Sequence, residues 1–323
     1  MKLSQLSQIT GIPRHTLTAR INTIFDKKDL KRDKSNHIVL TPNQCKRSID
    51  THLISKKGKV IRIGNLKGGV GKTSISYLLA QSFAEIGLKV CVVDFDIQMN
   101  FTSLFVDKNN KRPVFLDVIN EKKNISEIIM VINDNLSLIP SSLRNSLIEK
   151  DLLAQARKHQ FHWFNDVCLN YLRENFDIII FDTPPDLSSI NSITGLCLID
   201  GDHFLFPIDP DDFSLDGVEL VLNDVNRIRS SYRIKQNPEL LIVMNRFDQT
   251  IKEDLKGLME ANKRFEEALA QTIIRKMAKL KECVKNQTPF DALTRAKDLF
   301  QVINGLLVEL NIVKKWRTDS EII

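Results

Sequence analysis

Lys67-Gly68-Gly69-Val70-Gly71-Lys72-Thr73 is the stretch on which the reading of this chain turns. An apolar strand candidate, residues 60–64, runs directly into it, and a helical pattern opens at Thr73. Glycines at this point let backbone N–H groups wrap around phosphate oxygens, and the start of the helix adds the positive end of its dipole. In that strand–loop–helix setting Gly68, Gly69, Val70, Gly71 and Ser74 would line a nucleotide phosphate site. Lys72 would meet the β- and γ-phosphates, and the Thr73 hydroxyl would ligate Mg²⁺.

Working outward, short apolar runs alternate with amphipathic stretches. Strands are predicted over residues 60–64, 90–94, 136–140, 178–182, 203–208, 240–244 and 272–274. Helices are predicted over 73–86, 143–171, 187–199, 215–229, 251–269 and 292–310. Runs such as Ile178-Ile179-Ile180-Phe181-Asp182 are apolar throughout rather than alternating, as expected of central parallel strands covered on both faces. The expected fold is α/β, a doubly wound and mostly parallel sheet with ligands beyond the carboxyl ends of its strands.

Composition narrows the class. Of 323 residues, 42% are apolar and 27% charged, which excludes disorder as the main state. No apolar run reaches the length of a membrane span, and the N-terminus lacks signal-peptide character. Cys45, Cys91, Cys168, Cys197 and Cys283 are scattered without a CxxC pair, as expected of reduced cytoplasmic thiols. The net charge of +6 is unevenly spread: residues 1–59 hold 13 basic and 4 acidic side chains, a net of +9, against −3 for the remainder. That basic segment shows a helix-turn-helix pattern. Leu3, Leu6 and Ile9 form one apolar face, Gly11-Ile12-Pro13 the turn, and Leu17, Ile21 and Ile24 the second helix. Arg14, His15, Thr16 and Arg20 would face DNA from that second helix. A short strand (37–40) and a helix opened by Thr41-Pro42 would serve as wing and support. The expected domains are 1–55 for DNA binding, 56–59 as linker and 60–323 as the main domain. The alternative for 1–55 is a helical hairpin packed on that domain.

The strict phosphate-loop pattern requires glycine where Leu66 stands, and a second lysine, Lys67, follows it. This KGGxGK[ST] form resembles the deviant Walker A loop of the ParA/MinD family of P-loop ATPases, and Leu66 tilts the resemblance to the ParA branch. Asp94-Phe95-Asp96-Ile97-Gln98-Met99-Asn100 looks like the family's DxDPQGN switch I, with Ile97 for the proline and Met99 for the glycine. The residues through Asp182-Thr183-Pro184-Pro185 look like Walker B and switch II, and Asn245 is similar to the family's base-recognition asparagine. Asp94 and Asp96 could alternatively serve as strand-end caps. The resemblance spans roughly residues 59–312. It implies ATP and Mg²⁺ as cofactors, with Asp96 orienting the attacking water and Asp182 reaching the metal through water. Lys67 would act catalytically in the opposite subunit of an ATP-dependent homodimer. Arg275, Lys276, Lys279, Lys285 and Arg295 would form a patch for DNA phosphates.

The resemblance implies a cytoplasmic, nucleoid-associated DNA partition ATPase without membrane attachment. A centromere-binding ParB-type adaptor would stimulate it, and the N-terminal domain would bind operator DNA. Two other readings are a MinD-like positioning ATPase at a membrane and a nucleotide-regulated transcriptional repressor. The first needs an amphipathic C-terminal anchor, and residues 313–323 show no sustained apolar face.

Overall fold

The computed structural model describes residues 1–49, 58–107, 112–154, 160–277, 282, 284, 286 and 297–312. Its centre is a sheet in the order β5-β6-β4-β7-β3-β8-β9 among the described residues. The strands are β3 (Lys59–Ile63), β4 (Val90–Asp94), β5 (Met130–Asn133), β6 (Leu136–Ile139), β7 (Ile178–Asp182), β8 (His203–Ile208) and β9 (Glu239–Met244). All pair in parallel except β5, which closes one edge antiparallel to β6. Because successive side chains point to opposite faces, each strand feeds two cores. On β7, Ile178 and Ile180 enter one core while Ile179 and Phe181 enter the other. The mostly parallel sheet expected from the apolar strands is what forms.

The first face carries α4 (Lys72–Glu85), whose buried Ile75, Leu78, Leu79 and Phe83 lie against the sheet, together with α12 (Lys297–Glu309). The second face carries α5 (Phe115–Ile119), α6 (Ile148–Ala154), α7 (Gln160–Phe164), α8 (Asn170–Asn175), α9 (Ser189–Leu196), α10 (Asp212–Ser231) and α11 (Lys252–Phe265).

The N-terminal segment forms α1 (Leu3–Thr10), α2 (Arg14–Ile24), a two-stranded antiparallel ribbon of β1 (Lys31–Arg32) and β2 (Ile38–Val39), and α3 (Pro42–Ser48). Gly11, at φ +73°, ends α1 with its N–H on the Ser7 carbonyl. Thr41 caps α3 by accepting from Gln44 N–H. The segment packs on the main domain: Leu3, Leu6, Ile9, Leu17 and Ile21 share one buried cluster with α4 and α12. The Met1 ammonium meets Glu85 at 2.8 Å, and Lys46 meets Asp177 at 2.9 Å. Gly87 has no room for a side chain, since a Cβ there would lie 2.3 Å from the Pro42 carbonyl.

Several predicted elements differ. Residues 272–274 form no ladder strand. The N–H groups of Gln271 and Thr272 turn instead to the Glu309 carboxylate at 3.0 and 2.9 Å. The segment keeps isolated bridges, Ile242 of β9 with Leu269 and Phe247 beyond β9 with Arg275, and Ile274 N–H still donates to the Met244 carbonyl at 2.8 Å. The single helix over 143–171 is broken into a 3₁₀ turn (Leu143–Leu147), α6, α7, a π-turn (Asn165–Leu169) and α8. At its start the Arg144 guanidinium is drawn to Asp117 of α5 at 2.5 and 3.1 Å. The edge strand β5 escaped prediction because it is half exposed, with Val131 on the solvent side. Of the linker, residues 56 and 57 lie outside the described residues, and Lys59 opens β3 with its Nζ on the Leu310 carbonyl.

Candidate functional site

The loop from Gly64 to Gly71 leaves the central strand β3 and enters α4 at Lys72. Gly69 (φ +77°) and Gly71 (φ +99°) take backbone conformations that side chains disfavour. At Gly71 space forbids a side chain as well, because a Cβ would lie 2.3 Å from Asn245 Nδ2. At Gly68 and Gly69 the corresponding points are open. Asn65 pins the root of the loop. Its Nδ2 donates to the Pro207 carbonyl at 2.9 Å and its Oδ1 accepts from Lys67 N–H at 3.0 Å. Lys72 is buried and donates to the carbonyls of Asn65 (3.1 Å) and Lys67 (3.2 Å). Burial lowers its pKa, and the nearby carboxylates of Asp182, Asp96 and Asp186 offset only part of that.

Gly68, Gly69, Gly71, Lys72, Thr73 and Ser74 line one cavity of about 510 Å³ together with Asp96, Gln98, Asn100, Leu104, Pro185 and Val284. The loop and the 96–100 segment thus meet at one cavity. Asp96 Oδ1 accepts from Gln98 N–H at 2.9 Å. Asp94, by contrast, serves as a cap: its Oδ2 accepts from both Thr102 N–H (2.8 Å) and the Thr102 hydroxyl (2.7 Å). Met99 adopts φ +57°, so the turn that glycine would make easily is kept by a methionine. Asp94 and Asp182 are register partners on β4 and β7, both fully buried. Burial and their mutual repulsion push Asp94 up to about 8, and burial pushes Asp182 up to about 6. Asp182 Oδ1 accepts from Ser76 at 3.2 Å, while its Oδ2 is buried without a hydrogen-bond partner among the described residues. A hydrogen bond from the Thr73 hydroxyl also supports the Asp182 carboxylate. A hydroxyl beside a carboxylate oxygen with spare acceptor capacity is a donor set that fits Mg²⁺.

Lys67 lies at the rim of the loop, turned back on its own subunit. Its Nζ pairs with Asp209 at 3.0 Å and with Asp211. Burial disfavours the charge on Lys67, but the hydrogen bonds it donates to Asp211 and Asp209 outweigh it and raise the pKa. Asp209 is also clasped by Arg246, whose Nε donates to its Oδ1 at 2.8 Å. Neither aspartate was anticipated; the cue was the acidic run Asp209-Pro210-Asp211-Asp212 at the end of a parallel strand. Asn245, expected at a base edge, is buried with its Nδ2 on the Val70 carbonyl (2.7 Å) and its Oδ1 accepting from Arg246 N–H. It acts here on the phosphate loop itself.

Among the expected DNA contacts, Arg14 and His15 are exposed at the start of α2, while Thr16 and Arg20 are half-buried. Arg275 and Lys276 are exposed beside Phe247. Lys279, Lys285 and Arg295 lie outside the described residues.

A mostly parallel sheet whose interior strand β3 delivers a glycine-rich loop to a helix N-terminus, with carboxylates at the ends of β7 beside it and of β4 next along, defines a P-loop nucleoside triphosphatase. Comparison with known proteins agrees. The AAA domain family profile matches residues 58–242. An uncharacterized protein of Methanocaldococcus jannaschii is 32% identical over 271 residues, covering 77% of this chain and 98% of that one. The chromosome partitioning protein ParA of Caulobacter vibrioides is 29% identical, covering 57% and 67%. A solved ATP complex of McdA from Cyanothece shares the fold, with a TM-score of 0.70 at 20% identity over 82% of this chain and all of that one. The chain belongs to the ParA/MinD-type P-loop ATPases.

Proposed function

We propose that the protein is a Mg²⁺-dependent ATPase that partitions DNA, cycling between monomer and ATP-bound homodimer. The observation that carries the reading is the convergence of Lys72, Thr73 and Asp96 on one cavity, with Lys67 at its rim, paired with Asp209 and Asp211. The 29% identical relative named for chromosome partitioning supports the biological role.

The N–H groups of residues 68–73 would cradle the phosphates. Lys72 would exchange the carbonyls of Asn65 and Lys67 for β- and γ-phosphate oxygens. Thr73 would hold Mg²⁺ directly and Asp182 would hold it through water; the bound ion supplies neutralisation of phosphate charge. Asp96 would orient the attacking water. Lys67 would leave Asp209 and Asp211 and insert among the phosphates of the opposite subunit, as an arginine finger does elsewhere. Arg275 and Lys276 would bind DNA phosphates without sequence preference, and Arg14 and His15 would read operator bases. A centromere-bound ParB-type adaptor would stimulate hydrolysis, in the cytoplasm and at the nucleoid. No helix among the described residues is long and apolar enough to cross a membrane.

The test is binding and turnover of ATP with Lys72→Ala, which should abolish binding; unchanged affinity would refute the assignment. A gel-shift series on promoter and random DNA, with ATP, ADP and no nucleotide, separates the two DNA surfaces. Arg14→Ala with His15→Ala should remove promoter preference alone. These replacements are cleaner than deleting the segment, which would uncover the apolar surface it shares with α4 and α12.

A further inference from the structure

Strand β3 carries a charge at a core position. Alternation puts Val60 and Arg62 on the face packed against α9 and α10, where the neighbouring strands present Ile179, Phe181, Phe204 and Phe206. Arg62 is 1% exposed and forms no ion pair within 4 Å among the described residues. The Asp186 carboxylate favours its charge from beyond ion-pair distance, and a cation this buried is costly unless its donors are well used. Here the Nε donates to the Thr194 hydroxyl at 3.2 Å, and Nη2 donates to Asn191 Oδ1 at 2.7 Å. The guanidinium carbon lies 5.2 Å from the centre of the Phe204 ring.

Asn191 connects this cation to the loop that follows Asp182. With its oxygen committed to Arg62, its Nδ2 faces the loop, donating to the carbonyls of Pro184 (3.1 Å) and Asp186 (2.8 Å) and to Asp186 Oδ1 (2.7 Å). The remaining nitrogen, Nη1, has no hydrogen-bond partner among the described residues and lies beneath the same loop. A Cβ added at Gly64 would be 2.6 Å from Nη1 and 3.0 Å from the Thr183 hydroxyl. The absence of a side chain at Gly64 is what lets the guanidinium reach there. Pro185, two residues past Thr183, lines the nucleotide cavity.

We propose that Arg62 is a positioning residue for the loop of residues 183–186. Acting through Asn191, it holds the loop's carbonyls and so sets the wall of the cavity opposite the phosphate loop. This rests on the ATPase reading above, and it assigns the loop's placement to a group inside the sheet that touches neither nucleotide nor metal. Small misplacement of a catalytic wall costs turnover far more than affinity, by up to about 100-fold per ångström. Binding depends on the phosphate loop, to which Arg62 makes no hydrogen bond.

The experiment compares the full-length protein with Arg62→Met, Arg62→Lys and Asn191→Ala. The affinity for a fluorescent ATP analogue, ATP turnover, and hydrogen exchange across residues 183–190 are each measured. Arg62→Met is expected to keep its affinity within about twofold, lose about tenfold or more in kcat, and exchange faster in the loop while residues 72–85 are unchanged. Arg62→Lys, able to reach only one acceptor, should fall between. Asn191→Ala should reproduce the effect, and combining it with Arg62→Met should add little. If Arg62→Met does not fold, Asn191→Ala decides alone. Unchanged kcat with unchanged loop exchange in either variant overturns the proposal, as does an equal loss of affinity and turnover. If the parent protein does not hydrolyse ATP, the functional reading fails, and loop exchange still decides whether Arg62 holds the loop.

Discussion

Asp211→Asn should tighten the ATP-dependent dimer. In the single subunit Lys67 is held by Asp209 and Asp211, and reaching another subunit's phosphates requires giving up both. Asp211 is the cleaner partner to change. Asp209 also anchors Arg246, so its loss would disturb a second contact. Asp211 in addition caps α10, accepting from Ser214 N–H at 3.0 Å, and asparagine caps a helix about as well as aspartate. The substitution therefore removes charge from the clasp and little else. The pair is partly solvated, with Lys67 25% and Asp211 40% exposed, so its worth is that of a screened surface pair, about 0.2–1 kcal/mol. Both subunits release such a clasp on dimerising, so the dimer dissociation constant falls by about 2- to 30-fold. Light scattering or sedimentation with a non-hydrolysable ATP analogue reads the constant directly. The gap between variant and parent should close as salt rises, because screening removes the clasp from both. A dimer of equal or weaker affinity in the variant at low salt would refute the idea that the clasp competes with dimerisation.

Gly71→Ala should destabilise the protein by about 2–3 kcal/mol in chemical denaturation, summing a left-handed backbone cost and the Asn245–Val70 hydrogen bond that a Cβ would displace; a loss within error would mean the loop relaxes freely. Asp96→Ala should bind ATP normally and hydrolyse it at background rate, trapping the dimer; parental turnover would remove Asp96 from the mechanism. Nucleotide-free protein should lose thermal stability as pH rises from 6.5 towards 8. Asp94, lifted to about 8 by burial and by Asp182, holds a proton that the unfolded chain has already released, so unfolding sheds protons across that window. Saturating Mg·ATP should flatten the slope, and a rising melting temperature in the nucleotide-free protein would contradict the assignment. Replacing Arg275 and Lys276 with alanine should weaken binding to random DNA and reduce its salt slope by roughly one unit per lost phosphate contact; an unchanged slope would place the DNA surface elsewhere.

The sheet and the phosphate loop were legible because both are local. An apolar run names a buried parallel strand, and glycines beside a lysine name a loop that must admit phosphate. The clasp on Lys67 was not legible, since Asp209 and Asp211 lie more than 140 residues downstream and only the parallel crossover brings them to the rim. Asn245 was read at its correct strand end, yet its partner could not be inferred, because an amide serves a base edge and a loop carbonyl equally well. The 272–274 strand failed for a related reason: Glu309, 37 residues on, takes the Thr272 N–H that a continuous ladder would need, while the Ile274 N–H still reaches the Met244 carbonyl. Arg62 left a trace, a charged residue flanked by isoleucines within the strand, but only its neighbours on α9 show why it is there.

Helix α4 has one end in the phosphate loop and the other under the N-terminal segment. Its 14 residues span about 21 Å, and its last residue, Glu85, holds the Met1 ammonium. A tilt of that rod of a few degrees at the loop displaces its far end by about an ångström, a distance that hydrogen-bonded contacts register. The basic segment is therefore seated on the far end of the same rod whose near end frames the cavity. A fluorophore or spin label at Arg47, exposed on α3, would act as a remote gauge of loop occupancy while leaving the cavity untouched.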